Sequence, residues 1–401
     1  MREGWERRAI GEVTSVLRRG ITPRYVKPDD SDALVVVNQK CINSNYVDLK
    51  HAKLTERVRA LSDDRYLKRG DTLVCSTGRG TLGRSALWLG ELESTADSHV
   101  TIVRPGDDIL PEYLAYVLST AEDELVSRGT GSTNMTELSA GAIADIPLWV
   151  PPIAEQRRIV DLIGAVDEII GAAREHEVIS ARVLTQLRET MLTPSAGWKQ
   201  TKIGNELLRV RRPVEVETTA EYAEIGTRSY GRGVFLKEPV KGAALGSKKV
   251  FYVAPGDLVF NIVFAWEGSV ALLGEESQGR IASHRFPTFQ GSQVWSVEYF
   301  NHFFGTAHGR DLLVQHSPGG AGRNKTLSVP RLLEAAVQVP ADAESADSIL
   351  ATLRAAAACA QTSARHTVSA GNLRSHLLSA LLAGTHEIPA SYDRLLKGVS
   401  A

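Results

Sequence analysis

Counting on from Ile159 by threes and fours gives Ile159, Ile163, Val166, Ile170, Ala173, Glu177, Ser180, Leu184, Leu187 and Met191. Eight of these ten positions are apolar, a heptad seam rather than a broad globular face. Prolines stand on both sides, at Pro151, Pro152 and Pro194, and none lies between. The pattern predicts one helix of about forty residues, roughly 60 Å long at 1.5 Å per residue. That is far beyond the ~11–12-residue average. Glu177 and Ser180 interrupt the seam near its middle and are expected to set its register. So narrow a stripe needs a second helix, and the C-terminus supplies one. From Ala341 the chain is again free of proline for more than forty residues, with apolar rows through Ile349, Leu353, Ala356 and Ala360, then Leu377 and Leu381. Its alanine-rich middle permits close approach with little apolar burial. Two separate core helices in two domains are the plainer reading, but ordinary core helices are much shorter.

Outside these helices the signals are mostly strand-like. The stretches DALVVVN, DTLVCST, SALWL and VTIVRP read as strands, and so do YAEIGT, KKVFYV, DLVFNIVF and SVALL. Short helices are expected at PEYLAYVLST and SVEYFNHFFGTA. The chain also repeats itself. Gly4-Trp5 with Ile10-Gly11 returns as Gly197-Trp198 with Ile203-Gly204, Gly70-Asp71 as Gly256-Asp257, and Ser98-His99 as Ser283-His284. The loop Gly129–Ser139 is answered by Pro318–Ser328, and Val150-Pro151 by Val339-Pro340. These matches keep one order at nearly constant offset, the mark of an internal duplication. The expected class is α+β: two similar mixed α/β domains in pseudo-two-fold arrangement, each with a twisted, partly barrel-like sheet. Two long antiparallel helices, paired as a coiled coil, separate them. The expected boundaries are 1–150, a central helix over 151–196, 197–339, a C-terminal helix over 340–390 and a tail over 391–401.

Composition removes several function classes. Net charge is −1 with a sequence pI near 6.8, so the chain is no general polyanion binder. Basic residues cluster locally, at Arg2, Arg7, Arg8, Arg18, Arg19, Arg24 and Lys27, and again at Lys199, Lys202, Arg209, Arg211 and Arg212. Three scattered cysteines (Cys41, Cys75, Cys359) fit neither a disulfide framework nor a zinc site. No run approaches the ~20 apolar residues of a membrane helix. The charged start MREGWERRAI reads as no secretory signal, so a cytoplasmic, reduced location is expected. One cofactor motif is present in form. Gly78, Gly80 and Gly83 spell GxGxxG after a strand, with Asp97 at a suitable distance for a ribose carboxylate. A dinucleotide- or S-adenosylmethionine-binding enzyme needs a helix directly after those glycines. RSALWLGELES reads as a strand instead. The sequence PPIAEQRRI lacks the Asn/Asp-Pro-Pro-aromatic tetrapeptide of adenine methyltransferases, and no metal-ligand cluster is evident.

The repeated Gly-Trp and Ile-Gly pairs, the two Gly-Asp strands, the Gly129–Asn134 loop and PPIAEQRRI resemble the specificity subunits of type I restriction–modification systems. The resemblance spans essentially the whole chain. The second copy departs from it in PADAESADSI, which keeps Pro340 and Glu344 but has Ser345 where glutamine is usual. The resemblance implies a non-catalytic subunit whose two target-recognition domains read the halves of a bipartite, asymmetric DNA sequence. The helices act as the ruler for the spacer and dock two methyltransferase subunits, which methylate adenine N6 with S-adenosylmethionine. Motor and nuclease subunits can join them. A coiled-coil scaffold whose heads bind protein is the competing reading.

If the heads place loops in the major groove, arginine should face guanine and asparagine or glutamine adenine. Candidates in the first head are Asn38, Gln39 and Lys40, then Thr77, Arg79 and Thr81, then Arg128, Ser132, Thr133 and Asn134. In the second head they are Arg228, Ser229, Tyr230 and Arg232, then Arg323, Asn324 and Lys325. Each is equally well an ordinary polar loop residue. His99 and His284 read as structural hydrogen-bonders, and Trp5 and Trp198 as core anchors where helix meets head. Helix pairing and partner docking are expected of Glu155, Gln156, Ile159, Ile163, Val166, Ile170, Leu184 and Leu187, and of Ile349, Leu353, Leu377 and Leu381.

Overall fold

The computed structural model describes residues 4–27, 33–44, 46–57, 61–132, 135–319 and 325–394. They form two compact units, one of Met1–Ala172 with Val368–Ala401, the other of Ala173–Thr367. The boundary runs through both long helices, Ile153–Met191 and Ala343–Leu382, so each unit holds part of each.

In the first unit, Thr14–Arg19, Val100–Pro105, Thr72–Cys75 and Ser85–Leu87 lie in that order as an antiparallel sheet. A second sheet orders Lys53–Glu56, Ala33–Val37 and Ser94–Ala96, its last pair parallel. Glu6–Ala9 pairs with Pro147–Val150 and so ties the start of the chain to the segment that enters the central helix. The second unit repeats this plan. Leu207–Val210, Thr288–Gly291, Leu258–Phe260 and Val270–Leu272 form its four-stranded sheet, and Trp198–Lys202 pairs with Ala336–Pro340. The helices Pro111–Thr120 and Ser296–Phe303 match the two expected from sequence. Each carries a buried tyrosine whose hydroxyl donates to the strand ahead of a long helix: Tyr113 to Trp149 O (2.8 Å) and Tyr299 to Gln338 O (3.0 Å). The duplication read from sequence is therefore a duplication of topology. In the first unit a parallel bridge between Ile21 and Asp97 joins the chain just after Thr14–Arg19 to the chain just after Ser94–Ala96, and so links the two sheets.

Within each unit the two long helices pack along the expected seam. Ile159, Ile163, Leu378 and Leu381 are buried together in the first unit, and Leu350 and Leu353 in the second, with Leu187 packed against them. One detail differs from expectation. Leu350 and Leu378 face fully inward while Ile349 and Leu377 sit at the margin, so two of the four leucine and isoleucine positions shift by one residue and Leu353 and Leu381 stay in the row. A weak alanine-rich pattern fixes the face of a helix only to within a residue. The polar interruption now has a cause: His176 Nδ1 lies 2.8 Å from Ser363 Oγ, and Ser180 and Ser363 are both buried. Ser180 Oγ donates to His176 O and Ser363 Oγ to Cys359 O, so small polar side chains return their hydroxyls to their own helices.

Glu155 and Gln156 correct an expectation. Gln156 is fully buried; its Nε2 donates to Asp108 O and Pro151 O (both 2.9 Å), and its Oε1 accepts from Leu110 N–H (2.8 Å). Glu155 Oε2 accepts from the indole N–H of Trp5 at 3.0 Å. Both residues clamp the head onto the helix start, and the fully buried Gln156 leaves no side-chain surface for docking. The second copy has Ser345 at the corresponding place, where Asp342 Oδ1 accepts Ser345 N–H (2.8 Å) and caps the helix.

The ends of the two helices also correspond. In the first unit Arg374 is paired to Asp167 (Nη2–Oδ2 2.9 Å) and covers Tyr116. In the second, Arg188 donates through Nε to His302 Nδ1 at 3.2 Å and forms no ion pair among the described residues. Burial, then the charges of Arg188 and Arg354, push His302 down to about 4. An unfolded histidine titrates near 6.5. Between the two values only the unfolded chain takes up the proton, so the His302 contribution is complete above pH 6.5 and is lost as pH falls towards 4. At roughly 1.4 kcal/mol per pKa unit, the loss is on the order of 3 to 4 kcal/mol. Denaturation of wild type and His302→Gln across that window should show a flatter slope for the variant; parallel slopes would exclude this origin.

Candidate nucleic-acid interface

The strand Thr72–Cys75 delivers the chain into the loop that holds Gly78, Gly80 and Gly83. The chain then returns as the antiparallel strand Ser85–Leu87. No helix follows the glycines, which removes the reading of a dinucleotide- or S-adenosylmethionine-binding loop. Their positions have a local cause instead. Gly78 and Gly83 have φ of 101° and 83°, and a Cβ would stand 2.6 Å from Gln39 Oε1 or 2.9 Å from Glu122 O, respectively.

This tight turn gathers several of the predicted residues. Thr77 Oγ1 lies 2.6 Å from His99 Nδ1 and donates weakly to Gln39 Oε1 at 3.5 Å. Thr81 Oγ1 donates to Thr77 O at 3.1 Å. A bridge between Thr77 and Glu137 brings the hairpin strands Thr130–Ser132 and Met135–Glu137 beside the loop. Lys40 and Arg79 point outward, with no ion pair among the described residues. Asn38 behaves differently: its Nδ2 donates to His51 O (2.7 Å) and its Oδ1 accepts from Lys40 N–H (2.9 Å), so it holds its own turn together. Arg128 is held by Glu124 one helical turn back, at 2.7 Å. Thr133, Asn134, Arg323 and Asn324 lie outside the described residues.

The corresponding loops of the second unit also converge. Ser229 Oγ donates to Glu267 Oε2 (2.7 Å), Tyr230 N–H to Glu267 O (2.8 Å) and Gly231 N–H to Gly268 O (2.9 Å). Tyr230 adopts φ 63°, which is unusual for a side-chain-bearing residue, and is 70% exposed. Arg232 lies over the Tyr230 ring, Arg228 over Phe235, and Lys325 over Trp266 at 5.0 Å. Cations seated on aromatic faces beside exposed backbone suit both phosphate and base contacts.

Sequence reasoning passed over part of this surface. Trp266 and the exposed Phe264 occupy the loop matching Gly78–Gly83, and a bulky aromatic there was the available signal. A second basic group surrounds a cavity of about 200 Å³ lined by Arg209, Arg211, Lys249 and His284. None of the four forms an ion pair among the described residues. Burial and the neighbouring Arg211 charge lower the Arg209 pKa, as expected of a crowded cation. The two-residue spacing of Arg209, in the strand Leu207–Val210, and Arg211, just after it, pointed to a shared face. Arg212, in the same run, is instead committed to buried Asp257 at 2.6 Å.

Residues 2–179 match the family described as the type I restriction modification DNA specificity domain. A protein of Methanocaldococcus jannaschii described as a type I restriction enzyme specificity subunit is 20% identical over 247 residues, or 59% of this chain. The aligned part is 55% of that relative, so the chain spans about half its length. Two solved structures share the fold. One is a type I restriction–modification S subunit from M. genitalium, with TM-score 0.55 and 11% identity, covering 96% of this chain and 97% of the other. The other comes from a study of complex assembly and conformational transition of the type I system, with TM-score 0.56 and 16% identity, covering 95% and 98%.

Proposed function

From a chain whose residues 2–179 are matched by the type I restriction modification DNA specificity domain, we propose a DNA-reading subunit that performs no chemistry itself. Each unit reads one half of a bipartite, asymmetric target. In the first, Gln39, Lys40, Thr77, Arg79 and Thr81 face the duplex; in the second, Arg228, Ser229, Tyr230, Arg232, Lys325 and Trp266 do. One observation carries this reading: two units of a single topology bring unlike side chains to corresponding loops. Equal frames with unequal loops suit unequal half-sites.

The long helices set the spacer and receive the methyltransferase subunits. Exposed Ile169 and Leu373 in the first unit, and Val178, Ile179 and Val183 in the second, offer the apolar surface for docking. S-adenosylmethionine belongs to those partners, as do the motor and nuclease activities of a restriction complex. Much of the phosphate contact then comes from partners too, in keeping with the near-neutral charge of this chain. Among the described residues no helix is long and apolar enough to cross a membrane.

The test is co-expression with the adenine methyltransferase of the same system, followed by genome-wide mapping of N6-methyladenine. A single split motif with two short, unlike halves is expected. Replacing Arg79 and Lys40 by alanine should relax or abolish only one half. An active methyltransferase that marks no split motif would refute the proposal. Loss of both halves from the Arg79 and Lys40 replacement would refute the assignment of one half-site to each unit.

A further inference from the structure

The two units differ at one corresponding place. Val270–Leu272 is the outer strand of its sheet, and the Leu258–Leu272 register turns Leu272 N–H outward. Asn301, on the helix Ser296–Phe303, accepts that N–H with Oδ1 at 3.2 Å. In the first unit the outer strand is Ser85–Leu87, and the Thr72–Leu87 register makes Leu87 the counterpart of Leu272. The bonds from Trp88 N–H to Asp71 O and from Cys75 N–H to Arg84 O fix the phase, so Leu87 presents both its N–H and its C=O away from the sheet. Corresponding tyrosines, Tyr113 and Tyr299, align the two helices, so Ala115 stands where Asn301 does. Beside Ala115 and Leu87 lies a cavity of about 460 Å³.

Its wall has a definite chemistry. Ser85 and Trp88 line it and are 3% and 2% exposed, and among the described residues neither Ser85 Oγ nor Trp88 Nε1 has a hydrogen-bond partner. Tyr46, Leu49, Leu87 and Tyr116 supply aromatic and aliphatic surface. Arg374 and Asp167 at its edge neutralise one another, which leaves Glu112 as the charge without a counterion among the described residues. The volume falls within the range of small-molecule sites, ~300–1,000 Å³.

We propose that this cavity binds a planar, uncharged ligand carrying an acceptor beside a donor, the pattern of an aromatic carboxamide or a lactam ring. Such an edge pairs with Leu87 N–H and C=O as a neighbouring strand would. A second acceptor satisfies the indole N–H or the serine hydroxyl, whose burial is otherwise uncompensated. The ring occupies the apolar wall, and Glu112 disfavours anions.

The full chain should be titrated with benzamide as the probe and benzoate as its anionic comparison, followed by saturation-transfer NMR and thermal shift. Benzamide should bind saturably with millimolar affinity and raise the melting temperature. Benzoate should bind at least about ten-fold more weakly, a difference of ~1.4 kcal/mol. Ala115→Asn, which copies the second unit, should reduce benzamide affinity by a similar factor or more. Should circular dichroism show that variant misfolded, Ser119→Leu narrows the same cavity and must have the same effect. The proposal is overturned if benzamide does not saturate, if benzoate binds equally well, or if a folded cavity-filling variant retains wild-type affinity.

Discussion

Asp71→Ala is expected to destabilise the first unit by about 3–5 kcal/mol, the usual cost of breaking a buried ion pair from one side. The Asp71 carboxylate is 1% exposed and accepts Arg104 Nε at 2.7 Å and Nη2 at 2.8 Å. It also accepts Lys68 N–H at 2.8 Å, so it closes the turn before the strand Thr72–Cys75 as well. Removing it strands a mostly buried guanidinium between two strands of the central sheet. Hydrogen exchange can read this locally, as faster exchange of amides in Thr72–Cys75 and Val100–Pro105 with Leu258–Phe260 unchanged. An effect below about 1 kcal/mol would mean the pair does not hold the sheet. The second unit repeats the device with a different donor. Asp257 is fully buried, but its arginine, Arg212, follows the strand Leu207–Val210 instead of lying opposite in the sheet. Asp257→Ala should therefore loosen a different pair of strands.

Gln156→Ala should cost nearly as much, about 3–5 kcal/mol, from a residue that carries no charge. Its truncation leaves Leu110 N–H and the carbonyls of Asp108 and Pro151 without their partner; the Pro151 bond is buried and the other two partly so, and an unsatisfied buried group costs about 1–3 kcal/mol. Gln156→Glu should be no milder, because a carboxylate would then face two carbonyl oxygens. Exchange at Leu110 N–H and a denaturant titration measure the effect in the chain alone, with no partner present. Normal stability with selective loss of methyltransferase binding would restore the docking role that sequence suggested. By contrast, Arg79→Ala, on an exposed loop, should leave stability within about 0.5 kcal/mol.

Much of the frame was legible in the residues. Local pattern placed Thr72–Cys75 and Val100–Pro105 as short apolar runs buried on both faces, and Pro111–Thr120 and the two long helices by the regular face each buries. The residues after GxGxxG read as a strand, which excludes a cofactor loop, and the structure has the strand Ser85–Leu87 there. The candidate interface was less legible. Gln39, Thr77 and Thr81 are drawn together by hydrogen bonds between loops distant in sequence. Nothing local separates them from Asn38, whose side chain is spent on its own turn. Similarly, Glu155 and Gln156 looked like surface because polar residues at a helix start usually are.

By itself the sequence determined what periodicity and repetition can encode: a duplicated α+β frame, two seam-bearing helices and the turns that glycine permits. These depend on neighbours a few residues away and on comparison of one copy with the other. Tertiary structure alone decided which polar groups face inward. Gln156 meets Leu110, Asp71 meets Arg104, and Asn301 caps a strand where Ala115 leaves a cavity. A polar side chain is buried or exposed according to partners brought to it by folding, and no local pattern records where those partners come from.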